Sequence, residues 1–252
     1  MKLTFVGTGS GKTRTDRFHS SLLFSINGFN LLVDAGDGIS KALLFAKVDF
    51  NSVDAILFSH YHADHFGGIA SLFTQMKLTA RTERLKFYTH KSLVKPLTEF
   101  LATTYLFLET AGFEVEINGF EFDEKFKITH GLNAVAKQNN HIKNSHGVDA
   151  ENISFVSSSF LFEIDNKKIF YTSDVGAPED LLLFENEKIN WLITETTHVT
   201  TAEIQAAVEK LNPQKTFLTH IDEEDESELN NWVRKLNDDK IIIAQDRAEF
   251  TL

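Results

Sequence analysis

The run Ser59-His60-Tyr61-His62-Ala63-Asp64-His65 constrains this chain more than any other stretch of it. It follows directly on the apolar run Ala55-Ile56-Leu57-Phe58, so a buried strand must end where the histidines begin. Four metal-capable side chains within six residues, at a strand-to-helix turn, can converge on one point. Neutral imidazole with carboxylate is the donor set that divalent zinc, iron or manganese takes when no thiolate is on offer. The chain has no cysteine, which also removes a disulfide framework, a thiolate zinc finger, an iron–sulfur cluster and a cysteine nucleophile, and suits a reducing compartment. A polar turn rich in His by chance is the plain alternative. Three of ten histidines in one turn beside an Asp argue against it.

One turn cannot complete such a site, so further ligands are expected where other buried strands end, because binding groups usually sit at the exits of a rigid scaffold. Three positions fit. His141 follows the run 134–137, Asp174 ends Phe170-Tyr171-Thr172-Ser173, and His220 ends Thr216-Phe217-Leu218-Thr219. His146 competes with His141 within the polar stretch 138–157, a length of loop that is usually functional or disordered. Singly, each of these is an ordinary surface or core residue; jointly with the His-rich turn they are ligand candidates.

The remaining pattern is one of short β-branched or aromatic runs bounded by turn residues, at 3–7, 21–26, 30–34, 55–59, 86–89, 113–117, 125–129, 134–137, 158–164, 168–172, 191–194, 216–219 and 241–244. Asn27-Gly28 between two of them is a strong hairpin signal. Helical spacing falls at 39–46, 68–77, 93–107, 178–184, 202–211 and 226–236. Clustered hairpins with helices mostly elsewhere predict an α+β chain, sheets packed together with helices outside. Among 252 residues no linker or repeat marks a boundary, so one domain over 1–252 is expected. A chain of this size can bury roughly 70 to 75% of its unfolded surface without staples.

The opening Met1-Lys2-Leu3-Thr4-Phe5-Val6-Gly7 is neither a secretory apolar region nor a spanning helix, so a cytoplasmic protein with no membrane partner is expected. With 25 Lys and Arg against 36 Asp and Glu the net charge is −11, which speaks against broad attraction to nucleic acid. A phosphate substrate stays open, since a bound metal reverses the local field. Gly7-Thr8-Gly9-Ser10-Gly11-Lys12-Thr13 resembles a phosphate-binding P-loop, but the position five before Gly11 is Val6, one residue short of the required spacing, and it reads as a glycine turn leaving the first strand. Phe100, Tyr105 and Phe107 lie on an aromatic segment that reads as packing, with a pocket or a dimer face as the alternative.

The order His-x-His-x-Asp-His at 60–65, then a lone His, then Asp174 in Thr172-Ser173-Asp174, then His220 after an apolar strand, resembles the metallo-β-lactamase superfamily over nearly the whole chain. Within it, Gly7-Thr8-Gly9-Ser10-Gly11 followed by Arg17 and Ser20-Ser21 is similar to the opening of ribonuclease Z. Ser173-Asp174 and Leu218-Thr219-His220-Ile221 also resemble the cyclic-phosphate phosphodiesterase of phosphonate metabolism. The resemblance implies a four-layer αββα metallo-β-lactamase sandwich with two divalent ions at one edge of its sheets. Zinc is the first expectation, with manganese or iron as alternatives. Position by position, it implies one metal on His60, His62 and His141, another on Asp64, His65 and His220, and Asp174 bridging, with Asp64 counted among the catalytic groups as well. Two ions ~3.5 to 4 Å apart share a water and lower its pKa toward 7. Two aspartates and one hydroxide leave the pair of ions with a net positive charge, which favours an anionic phosphodiester. Superfamily members often dimerise, so a homodimer is expected by analogy.

In ribonuclease Z a Glu, and a later His in a His-Ser-Thr motif, assist the leaving group. Glu195 matches that Glu, and His198-Val199-Thr200 resembles the later motif with the intervening stretch missing. This implies His198 as general acid and Glu195 as the group that orients it or a ligand His; an exposed His198 with no role is the alternative. The chain departs from ribonuclease Z at Thr13 and Phe18, where that family has Pro and Asn, and it has no long basic arm before His141 to grip tRNA. Residues 111–130 read instead as two acidic strands, Phe113-Glu114-Val115-Glu116 and Phe120-Glu121-Phe122-Asp123. The expected function is a dinuclear metal-dependent hydrolase, a phosphodiesterase acting on a small nucleotide or cyclic-phosphate ester, with RNA as a larger alternative substrate. A hydrolase of a lactone, thioester or lactam, or a non-catalytic metal-binding module, are the competing classes.

Overall fold

The computed structural model describes residues 1–143 and 153–252, so His146 lies outside the described residues. The chain divides into two compact units, Met1–Glu121 with Gln245–Leu252, and Phe122–Ala244.

In the first unit β1 (Lys2–Gly7), β2 (Ser21–Ile26) and β3 (Phe29–Val33) run antiparallel. Asn27 and Gly28 join the last two with φ of 51° and 83°, the pair of left-handed residues whose twist matches that of the strands. Helix α1 (Ile39–Phe45) leads to β4 (Ala55–Leu57). The short α2 (Ala63–Phe66) and α3 (Ile69–Leu78) lead to β5 (Leu85–His90), and α4 (Val94–Thr103) leads toward β6 (Val115–Phe120). These crossovers make β3 to β6 parallel, and the register sets Val33 opposite Leu57 and Leu57 opposite Tyr88. Asp34, Ser59 and Thr89 therefore leave the sheet along one edge. Ile39, Leu43, Leu72, Phe73, Leu97 and Leu101 bury the apolar stripes of α1, α3 and α4 in one cluster with Ile56, Phe58 and Phe87. Each such side chain contributes about 1.5–3 kcal/mol.

The second unit repeats the plan. β7 (Lys125–Thr129), β8 (Leu132–Gln138), β9 (Ser158–Ile164) and β10 (Lys167–Tyr171) are antiparallel neighbours. Asp165 and Asn166, at φ 47° and 64°, form a second left-handed hairpin turn. β11 (Trp191–Glu195), α5 (Thr201–Leu211), β12 (Lys215–Thr219), α6 (Glu223–Leu236) and β13 (Ile241–Ile243) follow, with β10 to β13 parallel. Thr200 caps α5 in reciprocal bonds with Glu203. Tyr171 faces Ile193 and Ile193 faces Phe217, so Asp174, Glu195 and His220 also emerge along one edge. β14 (Glu249–Thr251) returns to the first unit and pairs with β1.

Four elements differ from their expected form: of the strand expected at 120–123 only Phe120 lies in a strand, as the end of β6, and the chain turns at Asp123 with φ 61°. The helix expected at 93–107 is α4, which stops at Thr103 because Tyr105 turns left-handed at φ 61°. The helix expected at 178–184 is a 3-10 turn, Pro178–Leu182, whose Asp180 side chain reaches back to the N–H groups of Gly176 and Ala177 before it. The strand expected at 113–117 begins at Val115; Phe113 is buried by its ring contact with Phe73, not by strand pairing. Phe100 packs on Phe66 at 4.9 Å between centroids, whereas Tyr105 is 81% exposed. Among the described residues no helix is long and apolar enough to cross a membrane.

Candidate metal centre

In the first unit the His-rich turn is pinned by its own aromatics. Tyr61 and Phe66 stack with centroids 4.1 Å apart, and Phe58 lies edge-on to both. The Tyr61 hydroxyl bonds the Leu93 carbonyl and the Thr89 hydroxyl. Burial pushes this phenol well above its ordinary range, so it acts as a neutral donor. With Tyr61 and Phe66 turned into the core, His60, His62, Asp64 and His65 face away from it. His60 and His65 are fully buried, their rings 4.2 Å apart, and His62 packs on His60 at 4.7 Å.

The protonation pattern follows from counting donors. Asp34, itself fully buried, accepts the Ser59 N–H at 2.8 Å through Oδ1. Its Oδ2 accepts the Ser59 hydroxyl at 2.9 Å and faces His65 Nδ1 at 2.8 Å. The proton of His65 is therefore on Nδ1, and Nε2 carries the lone pair. The Ser59 hydroxyl, having given its hydrogen to Asp34, accepts from His60 Nδ1 at 3.0 Å, which fixes the same tautomer there. Asp64 Oδ2 lies 3.5 Å from His65 Nε2. Glycine is needed at Gly36, where a Cβ would sit 2.0 Å from the Asp64 carbonyl oxygen, and a Cβ on Gly11 would press on its Oδ2 at 3.3 Å. The run resembling a P-loop is thus a glycine turn laid against Asp64.

In the second unit Asp174 Oδ2 lies 3.3 Å from His220 Nε2 and 3.6 Å from His141 Nε2. Thr197 repeats the role of Ser59. Its hydroxyl donates to the His220 carbonyl at 2.6 Å and accepts from His220 Nδ1 at 2.8 Å, again leaving Nε2 with the lone pair. Asn139 accepts the His141 N–H at 3.1 Å and donates to the Asp174 carbonyl at 2.9 Å. Glu195, almost fully buried, accepts four bonds: the N–H of Val175 and His198 Nδ1 through Oε1, and the N–H groups of Thr197 and His198 through Oε2. His198 is 39% exposed at its side chain, and its ring packs 4.9 Å from that of His141 and 5.8 Å from that of His220. Glu195, His198 and His220 bring one ligand atom each within 4.8 Å of one another.

Both donor sets suit a divalent metal. Two ligand atoms about 2.1 Å from one ion in tetrahedral geometry lie about 3.4 Å apart, too far for a hydrogen bond between them. The carboxylate-to-Nε2 separations of 3.3, 3.5 and 3.6 Å sit at that spacing. Asp34, Ser59 and Thr197 are the outer partners that hold ligating imidazoles in one tautomer. Sequence reasoning missed them, together with Asn139, because each acts on a residue distant in the chain or carries no motif of its own. For Asp34 there was one signal, a carboxylate at the end of the apolar strand Leu31-Leu32-Val33.

A family model described as anti-Pycsar protein Apyc1 matches residues 1–231. The chain is 27% identical over 212 residues to the anti-Pycsar protein Apyc1 of Bacillus phage vB_BsuM-Goe3, covering 83% of this chain and 81% of that one. It is 24% identical over 308 residues to ribonuclease Z of Methanosarcina mazei, covering 99% and 97% of the two chains. Among solved structures it is similar to the metallo-β-lactamase fold protein YhfI of Bacillus subtilis, with a TM-score of 0.75 at 18% identity over 99% of this chain and 98% of that one. The two mixed sheets with flanking helices are thus those of the α+β metallo-β-lactamase fold.

Proposed function

The chain belongs to the anti-Pycsar protein Apyc1 family, and from that premise we propose that it is a dinuclear metal-dependent phosphodiesterase of a small nucleotide or cyclic-phosphate diester. In this reading, which carries the sequence assignment forward, His60, His62 and His141 would hold one ion and Asp64, His65 and His220 the other, with Asp174 shared. The observation that carries it is the tautomer pattern. His60, His65 and His220 each have Nδ1 tied to a protein oxygen, which leaves Nε2 to ligate. Two such ions, zinc first with manganese or iron as alternatives, supply Lewis acidity and a water acidified toward pH 7.

The chain's own residues supply the proton chemistry. Glu195 Oε1 accepts from His198 Nδ1 at 2.8 Å, which fixes the ring and stabilises its imidazolium form. As the oxygen of a water forms the new P–O bond and the bond to the leaving group breaks, His198 Nε2 would deliver its proton to the departing oxygen. Glu195 also holds the Val175 N–H next to Asp174, so the acid and the bridging carboxylate are aligned by one side chain. Asp64 and Asp174 lower the charge of the ion pair without cancelling it, which favours an anionic diester in a protein of net charge −11.

The test is metal content and turnover measured on one sample, with cyclic mononucleotides, bis(p-nitrophenyl) phosphate, a tRNA precursor and a lactam as substrates. Two metals per chain and chelator-sensitive turnover of cyclic mononucleotides are expected. Turnover of the tRNA precursor alone moves the substrate to RNA, and turnover of the lactam alone overturns the phosphodiesterase reading.

A further inference from the structure

Behind the loops that carry His141 and Asp174 lies a carboxylate to which nothing above gives a task. Asp180, in the 3-10 turn Pro178–Leu182, is 1% exposed. Its Oδ2 accepts three backbone N–H groups, from Asn140 at 2.9 Å, Gly176 at 2.9 Å and Ala177 at 3.2 Å. Its Oδ1 accepts from Asn140 Nδ2 at 2.7 Å. Asn140 immediately precedes His141, and Gly176 stands two positions after Asp174. One side chain therefore ties the two loops to each other.

The loops meet as closely as backbone allows. A Cβ on Gly176 would sit 2.0 Å from the Asn140 carbonyl oxygen and 2.6 Å from the His141 nitrogen. Burying a whole carboxylate is costly, and a neutral side chain suffices where this unit needs only a backbone tie, as Asn190 does for the Lys168 N–H at 2.8 Å. At Asp180 one anionic oxygen gathers donors from both loops, a convergence that an uncharged acceptor holds less strongly. We propose that Asp180 is a positioning residue that sets the separation of His141 and Asp174, and with it the affinity for the divalent ion they share. The inference rests on the reading of His141 and Asp174 as ligands.

Zinc titration of chelator-stripped full chain tests it, with circular dichroism to confirm folding and cobalt absorption as a report on ligand geometry. Asp180→Ala is expected to weaken binding about 10- to 100-fold and to change the cobalt spectrum. Asn190→Ala, which removes a backbone tie to Lys168 away from both loops, is expected to lower the melting temperature while leaving the affinity within about threefold, because it touches neither ligand's loop. Should Asp180→Ala not fold, Asn140→Asp sets a second carboxylate against Oδ1 and is expected to weaken zinc binding. Combining it with Asp180→Asn restores a complementary side-chain pair but leaves the three N–H groups on an uncharged oxygen, and is expected to recover the affinity in part. Wild-type zinc affinity in Asp180→Ala, an equal loss in Asn190→Ala, or no recovery in the combined variant overturns the proposal. A wild-type chain that binds no metal instead overturns the ligand reading beneath it.

Discussion

Replacing Asp34 by Asn changes no volume and tests whether outer hydrogen bonds select the metal-binding tautomer. Asp34 is fully buried and takes three donors: the Ser59 N–H on Oδ1, the Ser59 hydroxyl and His65 Nδ1 on Oδ2. An Asn has one acceptor oxygen, so it can be placed in two ways. With that oxygen on the Ser59 N–H, its amide donates to His65 Nδ1, the ring proton moves to Nε2, and the lone pair meant for the metal is lost. With the amide rotated, His65 keeps its tautomer but two N–H groups face each other in a site without solvent, which costs about 1–3 kcal/mol, or about 5- to 150-fold in an equilibrium. The lesser of the two penalties governs, so zinc affinity is expected to fall about 10- to 100-fold. Competitive zinc titration measures it, and melting of the metal-free chain serves as control, where a loss of about 1–3 kcal/mol is the ceiling. Wild-type zinc affinity in Asp34→Asn would refute the tautomer argument for His65.

His198→Ala is expected to retain both metals and to lose about 10²- to 10⁴-fold in kcat on a nucleotide diester. It should lose far less on bis(p-nitrophenyl) phosphate, whose leaving group departs without a proton. Comparing kcat on the two substrates checks this. Gly176→Ala forces a Cβ to within 2.0 Å of the Asn140 carbonyl oxygen and is expected to cost about 1–3 kcal/mol, read as a lower melting temperature and weaker zinc binding together. Glu163 is held below the usual carboxylate range, first by its hydrogen bond from Lys125 and then by the nearby charges of Lys125 and Lys168. A lowered folded value means stability present at neutral pH and lost as pH falls through that value. Glu163→Gln should therefore reduce stability at pH 7 by at most about 1 kcal/mol and leave it unchanged in strong acid, as paired denaturation curves would show.

The His-rich turn could be read from the sequence because its four donors are contiguous and their strand precedes them. The candidates His141, Asp174 and His220 followed from strand exits, a rule that needs no knowledge of which strands are neighbours. What could not be read is the set of groups that fix them. Asp34 acts on His65 and Thr197 on His220 across 31 and 23 positions, and no periodicity links such pairs. The elements themselves were legible where apolar runs were long. They were not legible where a side chain overrode the pattern, as at the Pro178–Leu182 turn, or where a strand carries a single apolar residue, as Phe250 in β14.

The same limit has a physical root in the backbone. Asp34, Ser173 and His220 are non-glycine residues with φ of 63°, 54° and 53°, each just past the end of a strand that leads into the donor sets. A left-handed residue of this kind costs of order 1–3 kcal/mol, and nothing in its side chain announces the conformation. It persists because neighbouring strands over-determine it. The Asp34 N–H is held by the Leu57 carbonyl at 2.8 Å, and the Thr172 N–H by the Ile193 carbonyl at 3.0 Å, so each chain must turn sharply within the next residue or two. The sharp turn is what aims Asp34 at His65 and Asp174 at His141 and His220. Strain and donor placement are therefore one feature, set by parallel pairing between strands distant in sequence.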